Sequence, residues 1–165
     1  MCGIVGIFRP DGLAALASAL GRATDLAAHR GPDGRGLAFL SSRPGDGAPL
    51  ASRGPRRERL PDGYDIGLGH RRLAILDLSD DGHQPMASGD QRRWIVFNGE
   101  IYNYLELRDE LEADGRAFRS QTDTEVILRA YEQWGVDCVT RFNGMWSFAI
   151  VDLDRRLIFC SRDRL

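Results

Sequence analysis

The stretch MCGIVGIF (residues 1–8) places a cysteine directly before a short apolar run, IVGIF (4–8). A run of this length and composition predicts a buried strand. If Met1 is removed, Cys2 carries both a thiol and a free α-amine, whose ordinary pKa values are about 8.5 and about 7.7–8.0. The amine can then serve as the base that activates the thiol as a nucleophile. The alternative is that Cys2 is a small buried side chain leading into the strand, and its position alone favours that alternative.

Composition indicates one ordinary globular domain. The chain has 165 residues, a length at which a domain buries roughly two-thirds of its unfolded surface. The net charge of −2 favours neither a nucleic-acid nor a membrane partner. The three cysteines lack CxxC spacing, which argues against a disulfide framework or a zinc site and favours a reducing cytoplasm. All 22 basic residues are arginine, which excludes lysine Schiff-base chemistry within this chain.

Hydrophobic periodicity predicts an α+β fold with antiparallel sheets. Apolar residues at helical spacing predict three helices: 12–28, 103–114 and 123–134. Apolar runs and alternation predict further strands: 37–40, 65–76, 92–97, 145–152 and 156–163, the last two as a hairpin. The Pro- and Gly-rich residues 42–64 predict a long surface loop that is locally basic. Strands, then helices, then strands along the chain are typical of the α+β class.

The motif FNGEIYN (97–103) puts Asn98 and Gly99 directly after a predicted strand. A side-chain amide N–H and a backbone N–H at adjacent positions can both point at one oxygen, as an oxyanion hole requires. The alternative is a tight turn, because Asn-Gly is a strong hairpin signal. Taken alone, the motif favours the turn.

The motif GHRRLAI (69–75) contains two adjacent arginines, Arg71 and Arg72, in an apolar predicted strand. Successive side chains of a strand point to opposite faces, so one arginine should face inward. An inward guanidinium requires an anion, and its geometry suits a carboxylate.

The motif QTDTEVI (121–127) has Thr122 and Glu125 at capping-box spacing, which puts Asp123 in the first turn of a helix. An aspartate there stabilises the helix dipole. A site that pairs Arg72 with Asp123 and Glu100 would also fit a zwitterionic α-amino acid.

Seven stretches, in this order along the chain, resemble the glutaminase domain of class II glutamine amidotransferases of the asparagine synthetase type. They are MCGIVGIF, HRGPDGRG, GHRRLAILDLSDDGHQPM, FNGEIYNYLELRDEL, TDTEVILRAYEQWG, FNGMWSFAIVD and SRDRL. The resemblance implies an N-terminal nucleophile hydrolase fold, an αββα sandwich of two antiparallel sheets between helical layers, truncated at its C-terminal end. It also implies that residues 1–165 are the glutaminase domain and that a synthetase domain is absent from this chain.

The same resemblance implies hydrolysis of L-glutamine to glutamate and ammonia through a thioester on Cys2. The α-amine of Cys2 would be the base, and Asn98 and Gly99 would form the oxyanion hole. Arg30, in HRGPD, would lie near the N-terminus and help to order it.

The resemblance further implies how glutamine is held. Arg72 would bind the α-carboxylate, helped by backbone groups near Leu73 and Ile75. Glu100 and Asp123 would bind the α-ammonium group.

The resemblance implies neither cofactor nor metal for this domain. ATP and Mg are expected only in the missing synthetase domain, which would use the ammonia on an ATP-activated carboxylate. The implied partners are L-glutamine and that domain, and a homodimer is allowed. Two alternatives stay open: a non-catalytic module that binds glutamine or supports assembly, and the glutaminase half of another class II amidotransferase that acts on a sugar phosphate or phosphoribosyl donor.

The remaining polar residues are predicted to be structural. We interpret His29, His70 and His83 as hydrogen-bonding scaffold, because they lie in separate motifs without metal-ligand spacing. Cys138 and Cys160 are predicted to be buried, inert thiols.

Overall fold

Two four-stranded antiparallel sheets form the centre of the fold. This computed structural model describes residues 1–11, 17–43, 45, 47–53, 63–75 and 79–164. The strands of the first sheet are β1 (Gly3–Phe8), β2 (Gly34–Leu40), β3 (Leu50–Ser52) and β4 (Ile66–Arg72), in the order β1-β4-β2-β3. The strands of the second sheet are β5 (Met86–Ala87), β6 (Arg93–Ile101), β7 (Gly144–Asp152) and β8 (Leu157–Arg162), in sequence order.

Three α-helices flank the sheets. They are α1 (Ala17–Leu26), α2 (Tyr104–Ala113) and α3 (Asp123–Trp134). Short 3₁₀ helices span Asp80–Gly82 and Gly135–Arg141. Among the described residues, no helix has the length and apolar character needed to cross a membrane.

Apolar side chains fill three layers. The first lies between α1 and the first sheet, and includes Leu20 and Phe39. The second lies between the two sheets, where Leu68 of β4 meets the β6 side chains. The third lies between the second sheet and helices α2 and α3, and includes Leu111 and Ile127. These layers confirm the predicted α+β sandwich, with sheets inside and helices outside.

Alternation along β6 decides which side chains reach the space between the sheets. Trp94 and Val96 belong to the layer between the sheets, whereas Ile95 and Phe97 belong to the layer under the helices. Because side chains alternate along a strand, Asn98 must point to the same side as Val96. The extension of β6 therefore carries polar side chains to one end of the space between the sheets.

Two predicted strand ends are wrong. β6 does not stop at residue 97 but continues to Ile101, because it pairs with β7 along its full length, from Arg93 opposite Asp152 to Ile101 opposite Gly144. Asn98 and Gly99 are thus inside a strand and do not form a hairpin turn. Conversely, strand β4 ends at Arg72, whereas the prediction was a strand over 65–76. Residue 76 lies outside the described residues.

Several other boundaries differ from the prediction. Strand β2 begins at Gly34 rather than at residue 37, and α2 is one residue shorter at each end than the predicted 103–114. Helix α1 ends at Leu26 rather than at residue 28, because i to i+3 hydrogen bonds turn the chain after it, and the predicted start at 12–16 lies outside the described residues. The predicted loop 42–64 contains β3, which pairs with β2 over three residues. Residues 44, 46 and 54–62 of that loop lie outside the described residues.

Candidate functional site

A cavity of about 660 Å³ opens at one end of the space between the sheets. Eight residues predicted to act in catalysis or substrate binding all line it: Cys2, Arg72, Leu73, Ile75, Asn98, Gly99, Glu100 and Asp123. The ninth predicted residue, Arg30, contacts Cys2 from outside the lining. The fold thus brings together residues separated by more than a hundred positions in sequence.

Cys2 is half-buried at the start of β1 and is held through its backbone and its sulfur. The Arg30 Nε donates a hydrogen bond of 3.0 Å to the Cys2 carbonyl oxygen. The Leu73 N–H donates to the Cys2 Sγ at 3.4 Å, and the Leu73 carbonyl oxygen lies 3.7 Å from the same sulfur. These contacts place the thiol in the cavity wall, with Met1 beside it.

The edge of β6 that each backbone N–H faces shows that the Gly99 N–H is available to a ligand. The Arg93 carbonyl accepts from the Ser88 N–H next to β5, so the backbone groups of odd-numbered β6 residues face the β5 edge. β5 itself pairs only with Trp94 and Ile95. The Gly99 N–H consequently lies on this edge beyond the end of β5, and no side chain or loop among the described residues accepts a hydrogen bond from it.

The neighbouring odd-numbered residues have side-chain partners on the same edge. The Phe97 N–H donates to Gln84 Oε1 at 2.6 Å, and the Phe97 carbonyl oxygen lies 3.2 Å from His70 Nε2. The Ile101 N–H donates to Asp123 Oδ2 at 3.1 Å. Gly99, between them, is the position at which this edge opens to the cavity.

The Asn98 side chain provides a second group beside Gly99. Its Oδ1 is buried and has no hydrogen-bond partner among the described residues. No hydrogen bond holds the rest of this side-chain amide to the described part of the chain. Asn98 and Gly99 thus place a side-chain amide and a backbone N–H next to each other on the cavity wall, and two adjacent N–H donors are what an oxyanion hole requires.

Arg72 extends from the end of β4 into the opposite wall of the cavity. Its Nη1 donates to the Ser79 carbonyl oxygen at 2.8 Å. Gly82 allows this approach, because a Cβ there would overlap Arg72 Nη2 and lie 3.1 Å from Arg72 Cζ. The other arginine, Arg71, lies on the opposite face of the strand, where its Nε donates to the Gly31 carbonyl oxygen at 3.1 Å.

Asp123 is the first residue of α3 and is buried. The helix begins there because the Thr122 side chain accepts the Glu125 N–H as an N-cap. The pKa of Asp123 is raised to about 6, mainly by burial and to a smaller extent by the nearby Glu100 carboxylate, against the lowering effect of the hydrogen bonds from the Ile101 and Thr124 N–H groups. Together with Glu100, Asp123 makes this wall of the cavity acidic.

The capping-box prediction is correct in one half only. Thr122 caps the helix as predicted, but the Glu125 carboxylate does not reach back to the Thr122 N–H. It accepts instead from the N–H groups of Arg119 and Ser120 and from the Ser120 hydroxyl.

A family model described as a glutamine amidotransferase domain matches residues 46–165. The chain belongs to this family. Over its whole length, this amidotransferase domain is 42% identical to a putative glutamine-hydrolysing asparagine synthetase of Methanocaldococcus jannaschii. Over 99% of its length it is 35% identical to the glutamine-hydrolysing asparagine synthetase 1 of Bacillus subtilis. The chain spans only 30% and 22%, respectively, of these two relatives.

Solved structures confirm the fold. The amidotransferase domain matches a structure of the allosteric regulatory enzyme of purine biosynthesis with a TM-score of 0.71, covering 99% of this chain and 37% of that one at 19% identity. It also matches the glutamine phosphoribosylpyrophosphate amidotransferase of B. subtilis with a TM-score of 0.65, covering 98% and 36% at 18% identity. The N-terminal nucleophile amidotransferase fold is therefore shared, although identity at this level says nothing about substrate.

Sequence reasoning gave no role in the site to several further residues that line the cavity of the amidotransferase domain, among them Gln84, Trp146, Arg162 and Asp163. Gln84 lies near the end of the stretch GHRRLAILDLSDDGHQPM, and its side chain bridges the Phe97 N–H and the Thr124 hydroxyl. Trp146 packs against the core under the helices and also lines the cavity. No local pattern singles out Gln84, because the residues just before it, SDDGH (79–83), are polar as well.

The remaining histidines and cysteines differ in exposure. Burial lowers the pKa of both His70 and His83 to about 4. Cys138 is buried, as predicted, and burial raises its pKa to about 12. Cys160 is exposed, contrary to the prediction, because β8 is the last strand of its sheet and has a neighbour on one side only.

The close approach of β7 to β6 requires glycine at position 99. Gly99 has a φ of +153°, and a Cβ there would overlap the Met145 carbonyl oxygen and lie 2.7 Å from Trp146 Cα. We expect Gly99→Ala to lower the free energy of unfolding by about 1–3 kcal/mol. Gly89→Ala is the matched control, because a Cβ there meets nothing within 4 Å, and it should change stability by less than about 0.5 kcal/mol. Urea unfolding of both variants measures the difference, and equal stability would contradict the packing described here.

Proposed function

We propose that this domain hydrolyses L-glutamine to L-glutamate and ammonia through a thioester on Cys2. The observation that carries the proposal is that the Cys2 thiol, Asn98 with Gly99, the Arg72 guanidinium and the Glu100 and Asp123 carboxylates all line one cavity, which Arg162 and Asp163 also line. Membership of the glutamine amidotransferase family supports it. The charges match an α-amino acid, since Arg72 suits a carboxylate and Asp123 with Glu100 suits an ammonium group.

The chemistry follows from the free α-amine that Cys2 would carry once Met1 is removed. The amine takes the thiol proton, and the thiolate attacks the carboxamide carbon of glutamine. The carbonyl oxygen becomes an oxyanion that accepts hydrogen bonds from the Asn98 amide and the Gly99 N–H. The Cys2 ammonium then returns its proton to the leaving nitrogen, and ammonia departs from the γ-glutamyl thioester.

Hydrolysis of the thioester repeats the same proton transfers. The Cys2 amine takes a proton from water as the water attacks the thioester carbon, and the same donors stabilise the second oxyanion. Collapse breaks the carbon–sulfur bond, and the thiolate regains a proton as glutamate forms. Arg30 supports both steps by holding the Cys2 carbonyl oxygen.

The ammonia would pass to an ATP-dependent synthetase domain that forms an amide, with aspartate as the expected acceptor. The support is that the two relatives described above are named glutamine-hydrolysing asparagine synthetases and are more than three times longer than this chain. In this proposal ATP and Mg are bound by that domain and none is used by this one. The three free cysteines favour a reducing cytoplasm.

The experiment that tests the proposal compares the protein with and without Met1. With Met1 attached, the Cys2 nitrogen is an amide and cannot take the thiol proton, so glutamate release should be abolished. Removal of Met1, verified by intact-mass spectrometry, should restore it, and Cys2→Ala should abolish it again. Full turnover by protein that retains Met1, or by Cys2→Ala, would refute the mechanism. Glutamine binding without turnover by correctly processed protein would favour a non-catalytic binding module.

Two substitutions should separate binding from turnover. Arg72→Ala removes a charge-assisted hydrogen bond to the α-carboxylate, so the KM for glutamine should rise about 10- to 100-fold. Asn98→Ala removes an oxyanion donor, so kcat should fall about 10²- to 10³-fold with little change in KM. Arg71→Ala, on the opposite face of the same strand, serves as the control for Arg72 and should change KM far less. If Asn98→Ala raised KM and spared kcat, Asn98 would be a binding residue.

Glutamine binding should weaken as the pH falls through about 6. Asp123 has a pKa raised to about 6, mainly by burial, so below this pH it becomes neutral and no longer attracts the α-ammonium group. Calorimetry with the inactive Cys2→Ala variant measures the Kd for glutamine without turnover. The Kd should increase from pH 7 to pH 5, and Asp123→Asn should bind weakly with no such change. An unaltered pH dependence in Asp123→Asn would assign the effect to another group.

A further inference from the structure

Two buried side chains hold the backbone of Phe97, one on each side of its Cα. Gln84 Oε1 accepts the Phe97 N–H, in the peptide with Val96, at 2.6 Å, and His70 Nε2 lies 3.2 Å from the Phe97 carbonyl oxygen, in the peptide with Asn98. Both side chains come from outside β6, His70 from β4 of the other sheet and Gln84 from the segment before β5. They take the place of the strand partner that β5, two residues long, does not provide at this point.

The contact with Phe97 determines the tautomer of neutral His70. A carbonyl oxygen can only accept a hydrogen bond, so His70 Nε2 must carry a hydrogen, and in the neutral ring Nδ1 is then the unprotonated nitrogen. His70 is only 1% exposed, and its Nδ1 has no hydrogen-bond partner among the described residues. A second proton on Nδ1 would therefore be buried without an acceptor.

The groups that surround His70 also disfavour a positive charge. Burial is the largest cause that lowers the pKa of His70 to about 4, and His83 and the Arg72 guanidinium lower it further. The hydrogen bond to Phe97 acts in the opposite direction but does not offset burial. His70 thus remains a neutral Nε2–H donor throughout the pH range in which the enzyme would work.

We propose that His70 is a positioning residue for the oxyanion donors, an inference that rests on the proposed glutaminase function. The Phe97 carbonyl carbon is bonded directly to the Asn98 nitrogen, and a peptide unit is planar. Holding this carbonyl oxygen therefore holds the backbone of Asn98. The Gly99 N–H follows one residue later, and its neighbours on the strand edge, Phe97 and Ile101, are both held by side chains. His70 touches neither substrate nor Cys2 and acts only through the backbone of β6.

The decisive comparison is between His70→Gln and His70→Met. The two side chains have similar length, but only glutamine can donate a hydrogen bond near the position of His70 Nε2. We expect His70→Gln to keep kcat within about threefold of the unsubstituted protein, whereas His70→Met should lower kcat by about tenfold or more, towards the loss seen for a missing oxyanion donor. The KM for glutamine should stay within about threefold in both variants, because neither removes a contact to the α-amino acid group.

Each outcome of the kinetic comparison decides the inference. If His70→Met kept full kcat, or if His70→Gln lost as much kcat as His70→Met, the hydrogen bond to Phe97 would not position the donors. If His70 had a purely structural role, its substitution would lower the melting temperature, but it would not lower kcat selectively in His70→Met while leaving the KM for glutamine unchanged. If the unsubstituted protein lacked glutaminase activity after Met1 removal, the proposed function itself would fail, whereas failure of the variants alone would overturn only the role of His70.

A measurement on the unsubstituted protein covers the case in which His70→Met does not fold. The ¹⁵N chemical shifts of the His70 ring report which nitrogen carries the proton. We expect the Nε2–H tautomer, unchanged from pH 8 to pH 5.5. An Nδ1–H tautomer, or protonation of the ring within this range, would overturn the inference.

Discussion

β5 pairs with only two residues of β6, and the chain leaves the sheet while β6 continues for six more residues. Backbone N–H and C=O groups that are removed from water need partners, so the open edge of β6 must be satisfied by side chains. Gln84 and His70 satisfy Phe97, and Asp123 satisfies Ile101. The edge that these side chains leave open is at Gly99, on the wall of the cavity. The polar end of the space between the sheets follows from this shortfall in strand pairing.

The short pairing of β5 with β6 also explains why a carboxylate lies in the cavity wall. Asp123 accepts the Ile101 N–H and lines the cavity, so one carboxylate both completes the β6 edge and is available to a ligand. Its burial raises its pKa, and a bound ammonium group would favour the ionised form. Arg72 lies at the end of β4. In the antiparallel pairing of β1 with β4, Ile4 lies opposite His70, and the same register continued by two residues places Cys2 opposite Arg72. In the proposed reaction, the strand pairing of the first sheet therefore sets the spacing between the nucleophile and the carboxylate-binding group.

Local signals predicted some elements well. The helix 123–134 agrees with α3 at both ends, because Thr122 is a strong N-cap and the apolar residues repeat at helical spacing. The Asn98–Gly99 motif failed as a boundary signal, because its local turn propensity is outweighed by nine residue pairs with β7. β3 and β5 are too short to produce a periodic pattern, and they exist only because longer strands pair with them. The exposure of Cys160 depends on the strand order in the sheet, which no local pattern contains.

The candidate site, like the fold, could be predicted from the sequence only in part. The residue types that suit a glutamine site could be predicted from short motifs and from their resemblance to a family, and these residues do lie together. The contacts of Gln84 and His70 with the Phe97 backbone could not be predicted, because they join residues 13 and 27 positions apart in sequence. A buried histidine in an apolar strand shows from sequence only that it needs a partner. The structure supplies that partner and, with it, the tautomer.

The central claim is that Cys2, with a free α-amine, is the nucleophile that attacks glutamine. It is tested most directly by a glutamine analogue that carries an electrophilic diazoketone in place of the carboxamide, followed by peptide mass spectrometry. The account predicts one adduct per chain on Cys2 in protein without Met1, loss of glutaminase activity in proportion to the adduct, and no adduct on the exposed thiol of Cys160. An adduct on Cys160 with Cys2 unmodified, or full turnover by protein whose Cys2 is fully alkylated, would contradict it.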